Sequence, residues 1–158
     1  MDEDLAARIR RIEDLEAIRD IKHRYFIALD KADWPGVVKC FTADAEIDVG
    51  LGVQRGHDEI ANIFHEVYVK AFDWWSHQAS NPVIDITSPT TATGTWELEG
   101  FVVTQSPATG LWTAVFYEDE YRRDDGKWLI SKSTVVPIFR CNVEVGFTRQ
   151  RMVGLPDE

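Results

Sequence analysis

The sequence predicts an α+β protein: one cone-shaped domain in which three N-terminal helices pack on a curved, mixed but mostly antiparallel sheet. In the first 41 residues apolar side chains recur at spacings of three and four, as they do along one face of a helix. From residue 76 onward apolar and polar residues largely alternate, as they do in strands. Helices that precede the strands, rather than alternating with them, are typical of the α+β class.

The chain length predicts one domain. The sequence has 158 residues, and about 150 residues per domain is usual for soluble proteins. No repeat, low-complexity tract or linker divides the chain. We therefore expect a single domain over residues 1–158, with its core at about residues 8–145 and a C-terminal tail at residues 146–158.

Two helices are predicted before residue 42. The first has an apolar stripe on one side and charged residues on the other. Asp33 is expected to cap a second, shorter helix that has Pro35 in its first turn and ends near Phe41. The stripe of the first helix consists of Leu5, Ile9, Ile12, Leu15, Ile18, Ile21, Tyr25, Phe26 and Leu29.

A short strand and a third helix are predicted next. Residues 45–49 alternate between apolar and polar, and Gly50 and Gly52 mark the turn that follows. Gly56 and Asp58 are expected to begin the third helix. Four long strands then complete the chain, at residues 76–86, 92–105, 111–122 and 127–145.

Pro137 interrupts the last predicted strand. Because proline has no backbone N–H to donate, it indicates a bulge or an edge position at this point. Helices lying across the concave face of a curled sheet would leave a pocket between the two layers, where a small-molecule site is expected.

The charge and composition argue against several classes of partner. The chain has 17 Lys and Arg against 27 Asp and Glu, a net charge of −10, which would repel nucleic acid or an anionic membrane. No signal segment and no apolar run of about 20 residues is present. Cys40 and Cys141 have no metal-ligand spacing and are expected to be buried thiols in a reducing compartment. We therefore expect a cytoplasmic protein that binds neither nucleic acid nor membrane.

Standard catalytic and cofactor motifs are missing. The sequence contains no GxGxxG, P-loop, GxSxG or HExxH pattern. Its four histidines are not spaced as ligands with cysteines or with a carboxylate cluster, so no metal is expected. Candidate functional residues must therefore be polar residues that the periodicity places on apolar faces.

Three such residues could form an active site. Asp30 lies near the end of the first helix, where it could pair with a buried partner or simply cap the helix end. His77 begins a predicted strand; with a carboxylate on one ring nitrogen the other could act as a general base, although a core or rim histidine is the simpler interpretation. Tyr25 could donate a hydrogen bond to a substrate oxygen or could be an ordinary helix residue.

Four further residues are candidate substrate contacts. Trp74, Trp96 and Phe116 lie on or beside predicted strands and could line a pocket, although a place in the core is the simpler interpretation for Trp96 and Phe116. Arg140, beyond Pro137, could supply a positive charge.

Several segments together resemble a known family. Residues 25–34, 41–45, 77–94 and 121–128 resemble, in order and spacing, the SnoaL-like branch of the nuclear-transport-factor-2-like superfamily. The resemblance covers about residues 8–145. Within that branch the pattern is most similar to bile-acid 7α-dehydratases, and also similar to scytalone dehydratases and hexachlorocyclohexane dehydrochlorinases.

The resemblance implies a cofactor-free active site. These enzymes are lyases with an Asp–His dyad, whose aspartate falls on Asp30 and whose histidine falls on His77, while the tyrosine of the bile-acid enzymes falls on Tyr25. A further aspartate of the bile-acid enzymes falls on Gly100. The arginine positions of the bile-acid enzymes and of the dehydrochlorinases fall on Pro137 and Ser133, and Arg140 could replace that cation.

The resemblance therefore implies a cofactor-independent lyase, similar to a dehydratase, acting on a hydrophobic cyclic substrate such as a steroid or polyketide. An isomerase or cyclase using the same dyad is one alternative. A non-catalytic ligand-binding or assembly protein of the same fold is another. The resemblance also implies a homo-oligomer, more readily a trimer than a dimer.

Overall fold

A 28-residue helix, α1 (Glu3–Asp30), packs on two strands of a six-stranded sheet, β3 (Phe72–Ile86) and β6 (Lys127–Asn142). The computed structural model describes residues 3–144, so the tail predicted at residues 146–158 lies outside the described residues. The α+β class is confirmed, because helices cover one face of a mixed sheet. None of the described helices is long and apolar enough to cross a membrane.

The helical segments differ in number from the prediction. Helix α2 ends at Val38 rather than near Phe41, because Phe41 already pairs with the sheet. The third predicted helix consists of three consecutive segments. A π-helical segment, with i to i+5 hydrogen bonds, lies between two α-helical ones. The segments are α2 (Trp34–Val38), α3 (Gly56–Asn62), the π-helical segment (Ile63–Tyr68) and α4 (Val69–Ala71).

The sheet has the order β2-β1-β6-β5-β4-β3. Only β1 and β6 pair in parallel; the other neighbours are antiparallel. The strand β2 had not been predicted. The strands are β1 (Phe41–Asp48), β2 (Val53–Arg55), β3 (Phe72–Ile86), β4 (Thr91–Gln105), β5 (Ala108–Asp124) and β6 (Lys127–Asn142).

Strand β5 begins at Ala108 instead of residue 111, β4 begins one residue early, and two other strands begin four residues earlier than their side-chain alternation predicts. Strand β1 begins at Phe41 instead of residue 45, and β3 begins at Phe72 instead of residue 76. In β3 the aromatic residues Trp74 and Trp75 are adjacent, which hides the alternation, yet both pair with β4. Backbone pairing therefore extends beyond the region where one face is apolar and the other polar.

Pro137 lies at a bulge, as predicted. Val115 of β5 pairs with Pro137 and Ala114 pairs with Phe139, so Ile138 is an extra residue without a partner on β5. Strand β1 pairs with β6 only as far as Thr134. Beyond that point β6 has a free edge. Proline is tolerated there because no neighbouring strand needs a hydrogen bond from its backbone nitrogen.

The core lies between the helices and the face of the sheet that we call the inner face. Tyr25, Trp96 and Tyr121 are among its largest side chains, and each is at least 98% buried. The indole nitrogen of Trp96 donates to the Tyr121 hydroxyl at 2.8 Å, and that hydroxyl donates to Asp119 at 2.7 Å. The inner face thus contains a chain of buried polar groups that are hydrogen-bonded to one another.

Lys22 completes this polar network from the helix side. Its ammonium lies 2.7 Å from Asp119, and both side chains are wholly buried. The other oxygen of Asp119 accepts from Ser133 at 2.6 Å. The ammonium also lies 3.9 Å from the centre of the Tyr117 ring, a cation–π contact. Burial lowers the pKa of Lys22, and the charge of Asp119 opposes that shift.

Both cysteines are free and buried, as predicted. Cys40 donates weakly to the Gly36 carbonyl at 3.4 Å, and burial raises the pKa of its thiol to about 11. A thiol reacts as the thiolate, so this desolvation makes Cys40 a poor nucleophile.

We predict that the folded protein does not react with Ellman's reagent at pH 8. The thiolate exists only above the pKa, so a rise from 9.0 to about 11 leaves Cys40 with about a hundredfold less thiolate at this pH. Denaturation in guanidinium chloride should release two reactive thiols. Rapid reaction of one thiol in the native protein would contradict the burial of these side chains.

We also predict that Lys22→Met lowers the free energy of unfolding by about 3–5 kcal/mol, because it leaves the buried Asp119 without its cation. Asp119→Asn should be similarly destabilising, and the double variant should lose less than the sum of the two. The measurement is urea denaturation. Lys70→Met, which breaks an exposed pair with Glu66, is the matched control and should cost about 0–1 kcal/mol. Equal losses in Lys22→Met and Lys70→Met would show that the buried pair is unimportant.

Candidate active site

Asp30 and His77 are in direct contact, as predicted. Asp30 is the last residue of α1, and its Oδ1 lies 2.6 Å from Nδ1 of His77. Its Oδ2 accepts from the backbone N–H of His77 at 3.2 Å. The two residues are 47 positions apart in the chain, so the fold alone brings them together.

The position of β3 at the edge of the sheet explains this double contact. An edge strand has N–H groups that no neighbouring strand satisfies, and Asp30 accepts from one of them. Trp75 of the same strand donates from its indole nitrogen to the carbonyl of Leu29 at 2.8 Å. The Leu29 carbonyl also accepts from the backbone N–H of Ala32 at 3.0 Å, so Trp75 is its second donor at the end of α1. The C-terminus of α1 is therefore joined to β3 by three hydrogen bonds.

The contact determines which nitrogen of His77 is free. An ionised carboxylate only accepts hydrogen bonds, so Nδ1 donates to Asp30 and Nε2 is left to take or give a proton. The imidazole is only 7% exposed and Asp30 31%. The Phe26 ring lies nearly parallel to the imidazole, with centroids 5.8 Å apart. The ring is thus held by a hydrogen bond on one side and by packing on its face.

Tyr25 lies deeper in the core, one to two turns before Asp30 on α1. It is 98% buried, and its ring packs edge-on against that of Tyr117, with the centroids 6.4 Å apart. Burial raises its pKa far above the ordinary value, with a smaller contribution from Tyr68. Tyr25 is therefore a neutral hydrogen-bond donor across the physiological pH range.

A cavity of about 350 Å³ opens beside this region. This volume is at the lower end of the range for small-molecule sites. The side chains of Tyr25, Asp30 and His77 do not line it. Tyr68 forms part of its wall and also packs on Trp75, two residues from His77. The lining residues are Val49, Gly50, Leu51, Val67, Tyr68, Ala71, Phe72, Thr113, Val115, Val135, Pro137, Phe139 and Arg140.

Of the four predicted substrate contacts, only Arg140 lines this cavity. Trp96 is 99% buried beneath α1, where it contacts His23 and donates to Tyr121, so it belongs to the core. Trp74 is 54% exposed and Phe116 is 40% exposed. Strand alternation places both on the outer face of the sheet, away from the helices. The prediction that these three aromatic residues contact substrate is corrected accordingly.

Gly100, which stands where the resemblance implied a further acid, faces His77 directly across β3 and β4. A Cβ at this position would come within 2.9 Å of the Ser76 carbonyl oxygen. Any side chain here would require the backbone to shift, so only glycine fits at the position opposite His77. Ser133, which stands where the resemblance implied the arginine of the dehydrochlorinases, donates to Asp119 in the buried network.

One residue of the buried network beneath α1 and one residue of the cavity wall were not identified from the sequence. Lys22 lies at helical spacing between Ile18 and Tyr25 on the apolar stripe, and a lysine in such a position was a visible sign of a buried charge. Tyr68 gave no such sign, because an aromatic residue on an apolar helix face is usually part of the core. Within residues 3–144, no three His, Cys, Asp or Glu side chains are gathered as metal ligands.

Comparison with known proteins gives a family match over most of the chain. A family model described as a SnoaL-like domain matches residues 10–134.

Solved structures share the fold at low sequence identity. A hexachlorocyclohexane dehydrochlorinase (LinA-type3) from Novosphingobium barchaimii LL02 has a TM-score of 0.81 at 20% identity, covering 85% of this chain and 93% of that one. A protein provisionally described as a scytalone dehydratase, from Novosphingobium aromaticivorans DSM 12444, has a TM-score of 0.77 at 18% identity, covering 93% and 97%.

An NTF2-like protein with a cystatin-like fold, from Novosphingobium aromaticivorans, has a TM-score of 0.74 at 22% identity, covering 87% of this chain and 92% of that one. These matches confirm the predicted fold. The closer similarity to bile-acid 7α-dehydratases stays a prediction.

Proposed function

The chain belongs to the SnoaL-like domain family, and from this premise we propose that it is a cofactor-independent lyase acting on a hydrophobic, cyclic substrate such as a steroid or polyketide. The observation that carries the proposal is the 2.6 Å contact between Asp30 and His77. Two of the structures with the same fold are named for eliminations, a dehydrochlorinase and a dehydratase.

In the proposed reaction Nε2 of His77 removes a proton from a carbon next to a carbonyl group. The electrons of that C–H bond form a C=C bond, the C–O bond to a neighbouring hydroxyl breaks, and the proton leaves with that hydroxyl as water. A positioned base contributes about 10²–10⁴-fold to such a reaction. The protonated His77 can return its proton to the leaving oxygen, so no further acid is required.

Asp30 has two roles in this scheme. Its hydrogen bond to Nδ1 holds the ring in the productive tautomer, and its charge stabilises the imidazolium that forms. The C-terminus of α1 adds to this effect, because the carbonyl end of a helix carries partial negative charge. Tyr25 would donate to the substrate oxygen as negative charge develops there.

The proposed reaction requires that the substrate reach His77 from the cavity. The dyad does not line the cavity, but Tyr68 of the cavity wall packs on Trp75, which lies beside His77 on β3. A substrate that occupies the cavity must therefore extend past Tyr68 to reach Nε2 of His77. The same observation favours a second candidate, a non-catalytic protein that holds a small apolar ligand in the cavity. Turnover that requires His77 distinguishes the two.

We predict that His77→Ala abolishes turnover while the fold and the affinity for substrate persist, because removal of the base affects kcat rather than ground-state binding. Asp30→Asn should be nearly as damaging, since an amide cannot stabilise the imidazolium. The assay follows the rise in absorbance as hydrophobic cyclic hydroxyketones lose water and gain conjugation. His65→Ala is the matched control, because His65 also contacts a carboxylate, that of Glu66, at an exposed position. Full activity of His77→Ala on a confirmed substrate would exclude the dyad mechanism.

We predict a smaller loss for Tyr25→Phe, about a hundredfold in kcat, because one oxyanion donor is removed while the packing is kept. The pKa of Tyr25 is raised by burial, and the phenol donates only below its pKa. Ionisation of Tyr25 should therefore not affect the rate between pH 8 and 10. The pH profiles of the wild type and of Tyr25→Phe should have the same shape in this range. A Tyr25-dependent alkaline limb in that range would indicate an exposed, ordinary phenol instead.

A further inference from the structure

Arg140 is the only charged residue among the described residues that line the cavity. The wall around it is mainly aliphatic and aromatic, and the other polar side chains on it are those of Tyr68 and Thr113. Thr113 pairs with Arg140 across β5 and β6, and its hydroxyl donates to the Phe139 carbonyl at 3.2 Å. No carboxylate among the described residues lies within ion-pair distance of Arg140.

The bulge at Ile138 places Arg140, an exposed residue, on the face of β6 that borders the cavity. In a regular strand the residues that share a face with Pro137 would be the second and fourth after it, and Arg140 would face the other way. The extra residue restores Arg140 to the face of Pro137, because Val115 pairs with Pro137 and Thr113 pairs with Arg140. Bulges commonly re-aim a side chain beside a functional site.

The charge of Arg140 reaches into the cavity. Burial raises the pKa of Tyr68, and the positive charge of Arg140 opposes that rise. The guanidinium field therefore extends to the hydroxyl on the side of the cavity nearest Trp75 and His77. A guanidinium presents paired N–H groups that match a carboxylate or sulfonate, and such charge-assisted bonds are stronger beside apolar walls than in water.

We propose that the cavity binds compact apolar ring compounds that carry one anionic group, a carboxylate or an equivalent oxyanion, which Arg140 holds. The identification of the bound compound as the substrate rests on the proposed function. It narrows the substrate class to amphiphilic acids, in a protein whose net charge of −10 would otherwise disfavour anions. The anionic group would lie at Arg140, and the rings would extend along the apolar wall toward Tyr68.

A pair of fluorescent probes tests this. The first, 8-anilino-1-naphthalenesulfonate, carries a sulfonate on the same ring system that the second, N-phenyl-1-naphthylamine, presents without charge. Titration of Arg140→Gln should show the dissociation constant of the sulfonate raised about tenfold or more, as expected for a lost charge-assisted bond. The neutral probe should change less than twofold. Arg140→Lys should give an intermediate value, since it keeps the charge and loses the paired geometry.

Arg10→Gln is the matched control. It makes the same change of charge at an exposed position on α1 and should leave both probes unaffected. Equal weakening of both probes in Arg140→Gln would show that Arg140 only shapes the cavity, and that result overturns the proposal. No change for the sulfonate, or the same loss in Arg10→Gln, overturns it as well.

The outcome is separable from that of the proposed function. His77→Ala should bind both probes as the wild type does, because binding at Arg140 does not require the base. If Arg140→Gln weakens only the sulfonate while His77→Ala keeps full turnover, the lyase proposal fails and the anion site stands. If turnover requires His77 but Arg140→Gln leaves the dissociation constant of the sulfonate unchanged, only the anion-site proposal fails.

Discussion

The ammonium of Lys22 and the carboxylate of Asp119 are both fully removed from water, and buried charges are tolerated only beside a partner. This requirement holds α1 in one register on the sheet. A shift of the helix by one residue would rotate Lys22 by about 100° away from Asp119 and leave both charges unpaired. The position of every other residue on α1, including Tyr25 and Asp30, follows from this register.

The polar contacts of α1 are spaced eight residues apart. Asp14 contacts Arg123 and accepts from the Trp128 indole at 3.0 Å, Lys22 contacts Asp119, and Asp30 contacts His77. Eight residues turn a helix by about 80° beyond two full turns. The contacts accordingly move across the sheet, from the β5–β6 turn to β5 and then to the edge strand β3. The interior of the domain is thus apolar along most of its length, with a few paired charges that determine how the layers align.

The candidate site and the cavity lie at the end of this arrangement, where two irregularities of the sheet meet the helices. The free edge of β3 supplies the backbone N–H that binds Asp30, and the bulge in β6 supplies the orientation of Arg140. Gly100 leaves the space opposite His77 without a side chain. Tyr68, at the end of the π-helical segment, lines the cavity and packs on Trp75 of the strand that carries His77. The chemistry proposed for this protein uses these irregular positions, while the regular parts of the sheet hold them in place.

Local patterns were enough to predict the α+β class, the order of the main elements and the bulge at Pro137, because the periods of helices and strands follow from backbone geometry. The Asp30–His77 pair was predicted through a family resemblance, since no local rule joins residues 47 positions apart. Three things required the tertiary structure. Trp74, Trp96 and Phe116 could be sorted into outer face and core only when α1 was placed on the sheet. Arg140 could be oriented only when the register across Ile138 was known. The partner of Lys22 could be found only when α1 met β5. In each case alternation gives the two faces of an element, but which face is buried, and against what, is a property of the packed layers.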